Sequence, residues 1–233
     1  MQFARQKHGF RAVLLELPVA ENEVAKAQNL VPVVGVEADE FVVFQGRAGV
    51  EALGVGHVVL DEIDLHVEML RQLYSLGHRR ILLFEGSYHS HYLENILRQA
   101  ARLYPDAVVE TTMAEGMADK ARLKDDLRSA VARGVTGVCC PGIREAEHLL
   151  SCCAEAGIPV PGLSVLSVEH RQDEGASFLP PISAMYVPAR QMGRQAAEQL
   201  VGALQNEETA PQVEFKAVFV PRATVGPARV ETV

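Results

Sequence analysis

The residues best equipped for chemistry in this chain crowd one short stretch, Gly86-Ser87-Tyr88-His89-Ser90-His91-Tyr92. Its phenol rings and imidazoles can stack on the face of a sugar or a base and donate hydrogen bonds to its edge. The same composition also suits a solvated loop that runs into a helix N-terminus. The four cysteines form two vicinal pairs, Cys139–Cys140 and Cys152–Cys153. Adjacent cysteines do not readily bridge each other, and the gap between the pairs matches no common zinc spacing. They read as small apolar residues, one pair closing a buried strand and the other on the following helix, in a reduced, cytoplasmic setting. His8, His57, His66 and His78 are scattered, and none stands near a second ligand at metal spacing. His78 reads as a helix-end residue that is favourable there when charged. His148 shares a helix face with Glu145 and could pair with it locally. The glycines of Gly46–Gly56 lack both the GxGxxG pattern and the Walker lysine, and no GxSxG elbow occurs. The chain is therefore not expected to be an enzyme, and no metal or cofactor is implied.

Composition narrows the partners. A net charge of −8 argues against a nucleic-acid surface, because phosphate binding needs a basic stripe. The one basic pair of note, Arg79–Arg80, reads as a helix C-terminal cap. No apolar run is long enough to span a membrane, and no apolar core of a signal peptide follows Met1–Gln6, so export is not expected.

Positioning falls to alternating strands and helices. Short runs rich in β-branched residues predict strands at Ala12–Glu16, Glu40–Gln45, His57–Leu60, Ile81–Glu85, Ala107–Thr111, Gly137–Cys140, Leu163–Ser167 and Val213–Val220. Helical patterns fall at Asn22–Leu30, Leu65–Leu76, Tyr92–Leu103, Lys120–Arg133, Glu145–Ala156 and Ala189–Leu204. Leu65, Met69, Leu73 and Leu76 share one helical face, and Gly77 and Gly157 stand where helices should stop. Strands separated by helices imply parallel sheets joined by right-handed crossovers, an α/β fold. The polar loop Arg171–Ser177 reads as the most mobile segment.

Four stretches together carry a resemblance. Val58–Ile81, VVLDEIDLHVEMLRQLYSLGHRRI, is followed by Ala156–Glu169, AGIPVPGLSVLSVE, then Pro180–Leu200, PPISAMYVPARQMGRQAAEQL, and finally Val213–Pro227, VEFKAVFVPRATVGP. In order and spacing this set resembles the effector-binding part of LacI/GalR-type transcription regulators. The resemblance implies a two-lobed, periplasmic-binding-protein-like (type I) α/β fold whose first lobe is incomplete. Residues 1–57 with 186–212 would form the N-terminal lobe, and 58–185 with 213–233 the C-terminal lobe. It further implies a sensor that binds a small polar effector, most often a sugar, in the inter-lobe cleft. A homodimer partner would transmit the signal to a DNA-binding region not contained in this chain. The family's helix-turn-helix has no counterpart here, so direct DNA contact is not expected. A solute-binding protein for sugar uptake, or a dimerisation remnant that no longer senses, would share the fold.

The resemblance also proposes ligand positions. Glu169 falls on the family's ligand-binding aspartate, where an ionised acceptor held in a dry cleft grips a sugar hydroxyl. Tyr88, His89, His91 and Tyr92 occupy the loop near whose end the family often places an arginine, which is missing here. Gly142-Ile143 stands where the family carries an Asn-Asp pair. Met113 occupies the neighbourhood where a ring often stacks on the ligand, and a core methionine is the competing reading. Asp61 and Glu62 read as caps of the following helix.

Overall fold

A computed structural model describes residues 13–16, 33–36, 56–85, 90–113, 119–204 and 212–228. The expected strand Glu40–Gln45 and helix Asn22–Leu30 lie outside the described residues. The chain divides into two compact units, each made of discontinuous segments. The first comprises Met1–Asp61 and Pro188–Lys216, and the second Glu62–Val187 and Ala217–Val233.

In the first unit, strands β1 (Val13–Glu16), β2 (Val33–Val36), β3 (Gly56–Leu60) and β9 (Gln212–Phe215) form a sheet in that order, every pair parallel. The helix Ala189–Leu204 packs against β2, β3 and β1. Its buried residues Met192, Ala196 and Gln199 recur at helical spacing. Residues 58–60, expected in the other lobe, pair with β2 and β9 and so belong wholly to this unit.

The second unit is a six-stranded sheet in the order β10-β8-β7-β6-β4-β5. Its strands are β4 (Arg80–Glu85), β5 (Val108–Met113), β6 (Gly137–Cys139), β7 (Ser164–Glu169), β8 (Ser183–Tyr186) and β10 (Val218–Val220). All pairs are parallel except the antiparallel edge β10–β8. Helix α1 (Glu62–Ser75) leads into β4, and α2 (Ser90–Leu103), α3 (Lys120–Ala132) and α4 (Ile143–Ala156) make the crossovers between β4, β5, β6 and β7. The helix Ala189–Leu204 of the first unit is α5.

Local chemistry sets these boundaries. Glu62 and Asp64 place negative charge in the first turn of α1, where the helix dipole favours it. The helix ends at Gly77, whose φ of +92° suits glycine, and His78 N–H closes the cap on the Leu73 carbonyl. Asp119 caps α3 by accepting from the Ala121 and Arg122 amides. The core lies between the sheet and helices α3 and α4. Leu82, Val138 and Val165 form one row across β4, β6 and β7, and Leu127, Leu149 and Ile143 cover it. All four cysteines are free and buried, with Cys140, Cys152 and Cys153 in this core. Burial pushes the Cys139 and Cys153 thiols up to about 12, so these sulfurs stay protonated and inert.

Three readings of the sequence need revision. Strands Val33–Val36 and Ser183–Tyr186 are additional. The single strand expected over Val213–Val220 is two, because the chain passes from one unit to the other at Lys216–Ala217. His78 is fully buried and not a charged helix-end group. Its Nδ1 meets Thr136 Oγ1 and its Nε2 meets the Gly226 carbonyl, and desolvation lowers its pKa. The cap role belongs to Arg79, which donates to the Tyr74 carbonyl near the end of α1 and lies 3.9 Å over the Tyr74 ring.

Candidate ligand-binding site

Because β4, β5, β6, β7 and β8 run parallel, their carboxyl ends share one edge of the sheet. Open α/β sheets bind ligands along that edge, where the loops are free to vary over a fixed scaffold. Most of the residues singled out above fall there. Met113 closes β5 and is in register with Glu85, the end of β4. His91 and Tyr92 fall in the first turn of α2, which follows β4. Gly142 lies between β6 and α4, where it is the N-cap in extended conformation with no side chain to cap the helix. Glu169 closes β7. Tyr88 and His89 lie outside the described residues.

Glu169 departs from its expected role as a free acceptor. It is 1% exposed, and both of its carboxylate oxygens are engaged. Arg222 Nη2 donates to Oε1 at 2.9 Å and Nη1 to Oε2 at 3.0 Å, a two-pronged ion pair. The Gly175 amide donates to the same Oε2 at 2.9 Å. Arg222 Nη1 also reaches the Ile182 carbonyl at 2.6 Å, and Asp173 Oδ1 stands 3.6 Å from Nη2. The reason is physical: a carboxylate taken out of water needs charge and hydrogen bonds in return, and the C-terminal segment supplies both. The loop expected to be mobile is tied down by these contacts. Gly175 O accepts from the Ile182 amide, and Arg171 bridges to Glu174. A Cβ on Gly175 would come within 2.5 Å of the Ile182 carbonyl and 2.7 Å of Arg222 Nη1, so only glycine fits.

Arg222 is the site residue that sequence reasoning missed. Its signal was present, since a buried acid at a strand end requires a cation, and an arginine follows the last apolar strand. Among the described residues, no group of three or more His, Cys, Asp or Glu side chains could hold a metal ion.

Two units of mostly parallel α/β sheet, each built from discontinuous segments, define a periplasmic-binding-protein-like fold. The profile of the periplasmic binding protein-like domain family matches residues 70–225, and the chain belongs to that family. Solved structures agree on the fold. A LacI family transcriptional regulator from Bifidobacterium animalis subsp. lactis superposes with a TM-score of 0.76 at 19% identity, covering 98% of this chain and 82% of that one. A LacI family regulator from Arthrobacter sp. FB24, in complex with lactose, gives 0.71 at 18%, with 96% and 80% covered. A periplasmic binding protein/LacI transcriptional regulator from Alkaliphilus metalliredigens, complexed with D-xylulofuranose, gives 0.71 at 14%, with 96% and 81% covered. No curated protein sequence matches the chain significantly.

Proposed function

We propose that this chain is the effector-sensing domain of a LacI-type transcriptional regulator and is not an enzyme. Its ligand is a small polar metabolite, a sugar in the first instance, taken up at the carboxyl edge of the second unit's sheet. The observation that carries this reading is the convergence of β4, β5, β6 and β7 on one edge in a fold shared with regulators, two of them solved with sugars. In this reading Tyr88, His89, His91 and Tyr92 supply stacking rings and donors, and Met113, which closes β5, and Gly142, which follows β6, are further ligand positions. An effector with unequal affinity for two conformations shifts their populations. That shift reaches DNA through a region outside this chain, in the cytoplasm. No described helix is long and apolar enough to cross a membrane. Titration calorimetry against a panel including lactose and D-xylulose, with X-ray scattering on the same samples, tests the reading. Heat accompanied by compaction is expected, and a panel that produces neither sinks it. A dimerisation remnant that senses nothing is favoured by one observation, the fully engaged Glu169, and the same null result would select it. A sugar-uptake protein shares the fold, and the gene sequence upstream of Met1 separates it.

This reading includes a homodimer, for which one exposed face is suited. Leu179 is 97% exposed beside a groove of about 410 Å³ whose apolar walls are Leu150, Ile158, Val160 and Phe178. A knob and a groove on one patch are self-complementary, so a two-fold axis can seat each knob in the other copy's groove. Leu179→Asp should convert a dimer to monomer in sedimentation velocity, and an unchanged dimer would exclude this face.

A further inference from the structure

We propose that Glu169 is a positioning residue: paired with Arg222, it fixes the loop His170–Phe178 at the ligand edge and does not itself grip the effector. The inference deepens the sensing function proposed above and rests on it for the meaning of the edge. Four hydrogen bonds converge on Glu169. Its side chain takes both guanidinium prongs of Arg222 and the Gly175 amide, and its carbonyl accepts from Val187 N–H at 2.8 Å. Val187 is the last residue of the second unit before the chain passes to the first. Arg222 is itself anchored, its backbone amide donating to Ser183 Oγ, and Ala223 N–H donating to the Pro181 carbonyl. One residue therefore joins the ligand-edge loop, the passage between units and the C-terminal segment.

To reach a ligand hydroxyl, the carboxylate would have to leave a guanidinium that is only 8% exposed, stranding a buried charge. The extra methylene of glutamate over aspartate fits this reading, because the longer chain carries the carboxylate out to the arginine fork. Polar contacts to a ligand at this strand end then come from the loop that Glu169 holds, through His170, Gln172 and Asp173.

The experiment compares the whole chain with Glu169→Gln, Arg222→Met, Arg222→Lys and the paired Glu169→Met/Arg222→Met, using hydrogen exchange of peptides over 170–178 and lactose and D-xylulose calorimetry. Exchange needs no ligand, so it decides the positioning role even if neither sugar binds, which would count only against sensing. Glu169→Gln and Arg222→Met are expected to speed exchange in 170–178 by about tenfold or more while α1 and β4 stay protected. Arg222→Lys, keeping charge without the fork, should fall between them and the wild type. The apolar pair should recover loop protection relative to either single change, because no buried charge is stranded. Where a sugar binds the wild type, the pair should regain affinity with it. Loop exchange unchanged in Glu169→Gln would overturn the proposal. So would a paired variant with restored loop protection that binds as weakly as Glu169→Gln, since the carboxylate would then be touching ligand. If Arg222→Met fails to fold, Arg222→Lys carries the exchange test alone.

Discussion

Glu169 and Glu110 are both strand glutamates held by arginine, yet the two sites carry different energies. Glu169, 1% exposed, meets an arginine that is 8% exposed and receives a backbone amide as well. Glu110 on the edge strand β5 is 20% exposed and shared by Arg80 and Arg133, 40% and 49% exposed. The contacts look alike, with Arg80 Nη2 at 3.1 Å and Arg133 Nε at 3.1 Å. Solvent makes the difference. Water and salt screen the Glu110 cluster, and either arginine can move into solvent at little cost. At Glu169 no water replaces a missing partner, so the cost lies in breaking the pair and not in its net attraction.

Truncating each site sharpens that contrast. Arg222→Met should have the largest effect, a loss of about 3–5 kcal/mol, because it leaves a buried carboxylate without its counter-charge. Urea unfolding would show it, and a loss below about 1 kcal/mol would put the two sites on the same footing. Gly175→Ala acts on the same site by sterics, with its Cβ driven against the Ile182 carbonyl, and should cost about 1–3 kcal/mol. An undiminished thermal midpoint would mean the loop has room to yield. Glu110→Gln should be the mildest, below about 1 kcal/mol. Its pH dependence has a definite sign. Hydrogen bonding from Arg133, then from Arg80, holds the Glu110 carboxyl below its ordinary value of 4.5. The wild type's advantage over the variant is therefore full above that value and disappears as pH falls through the lowered folded value. An advantage that instead grows on acidification, in paired thermal melts, would contradict the assignment.

The same contrast explains what could be read in the sequence. Periodicity located Leu65, Met69 and Leu73 on the buried face of α1, with Leu76 past its end only half-buried, and the Ala189–Leu204 helix has the bounds the pattern predicts. Gly77 and Gly157 mark helix ends because positive φ leaves a residue-type signature. The strand Ser183–Tyr186 left none: it is four residues long, follows Pro180-Pro181, and opens with a serine buried by a hydrogen bond rather than by apolar character. The topology explains why Met113, Gly142 and Glu169, far apart in the chain, fall at or just after the carboxyl ends of parallel strands of one sheet. The partner of Glu169 was harder to foresee. It lies 53 positions along the chain, so no local pattern connects them.

The three passages at Asp61–Glu62, Val187–Pro188 and Lys216–Ala217 have a practical consequence for anyone cloning pieces of this molecule. Neither half can be excised as one uninterrupted stretch. A stop codon placed after residue 204 would strip β9 from one sheet and β10 from the other, and would remove Arg222 with them. Separate expression of either half calls for a rewired gene, with a designed linker closing the gap that the intruding segment leaves behind.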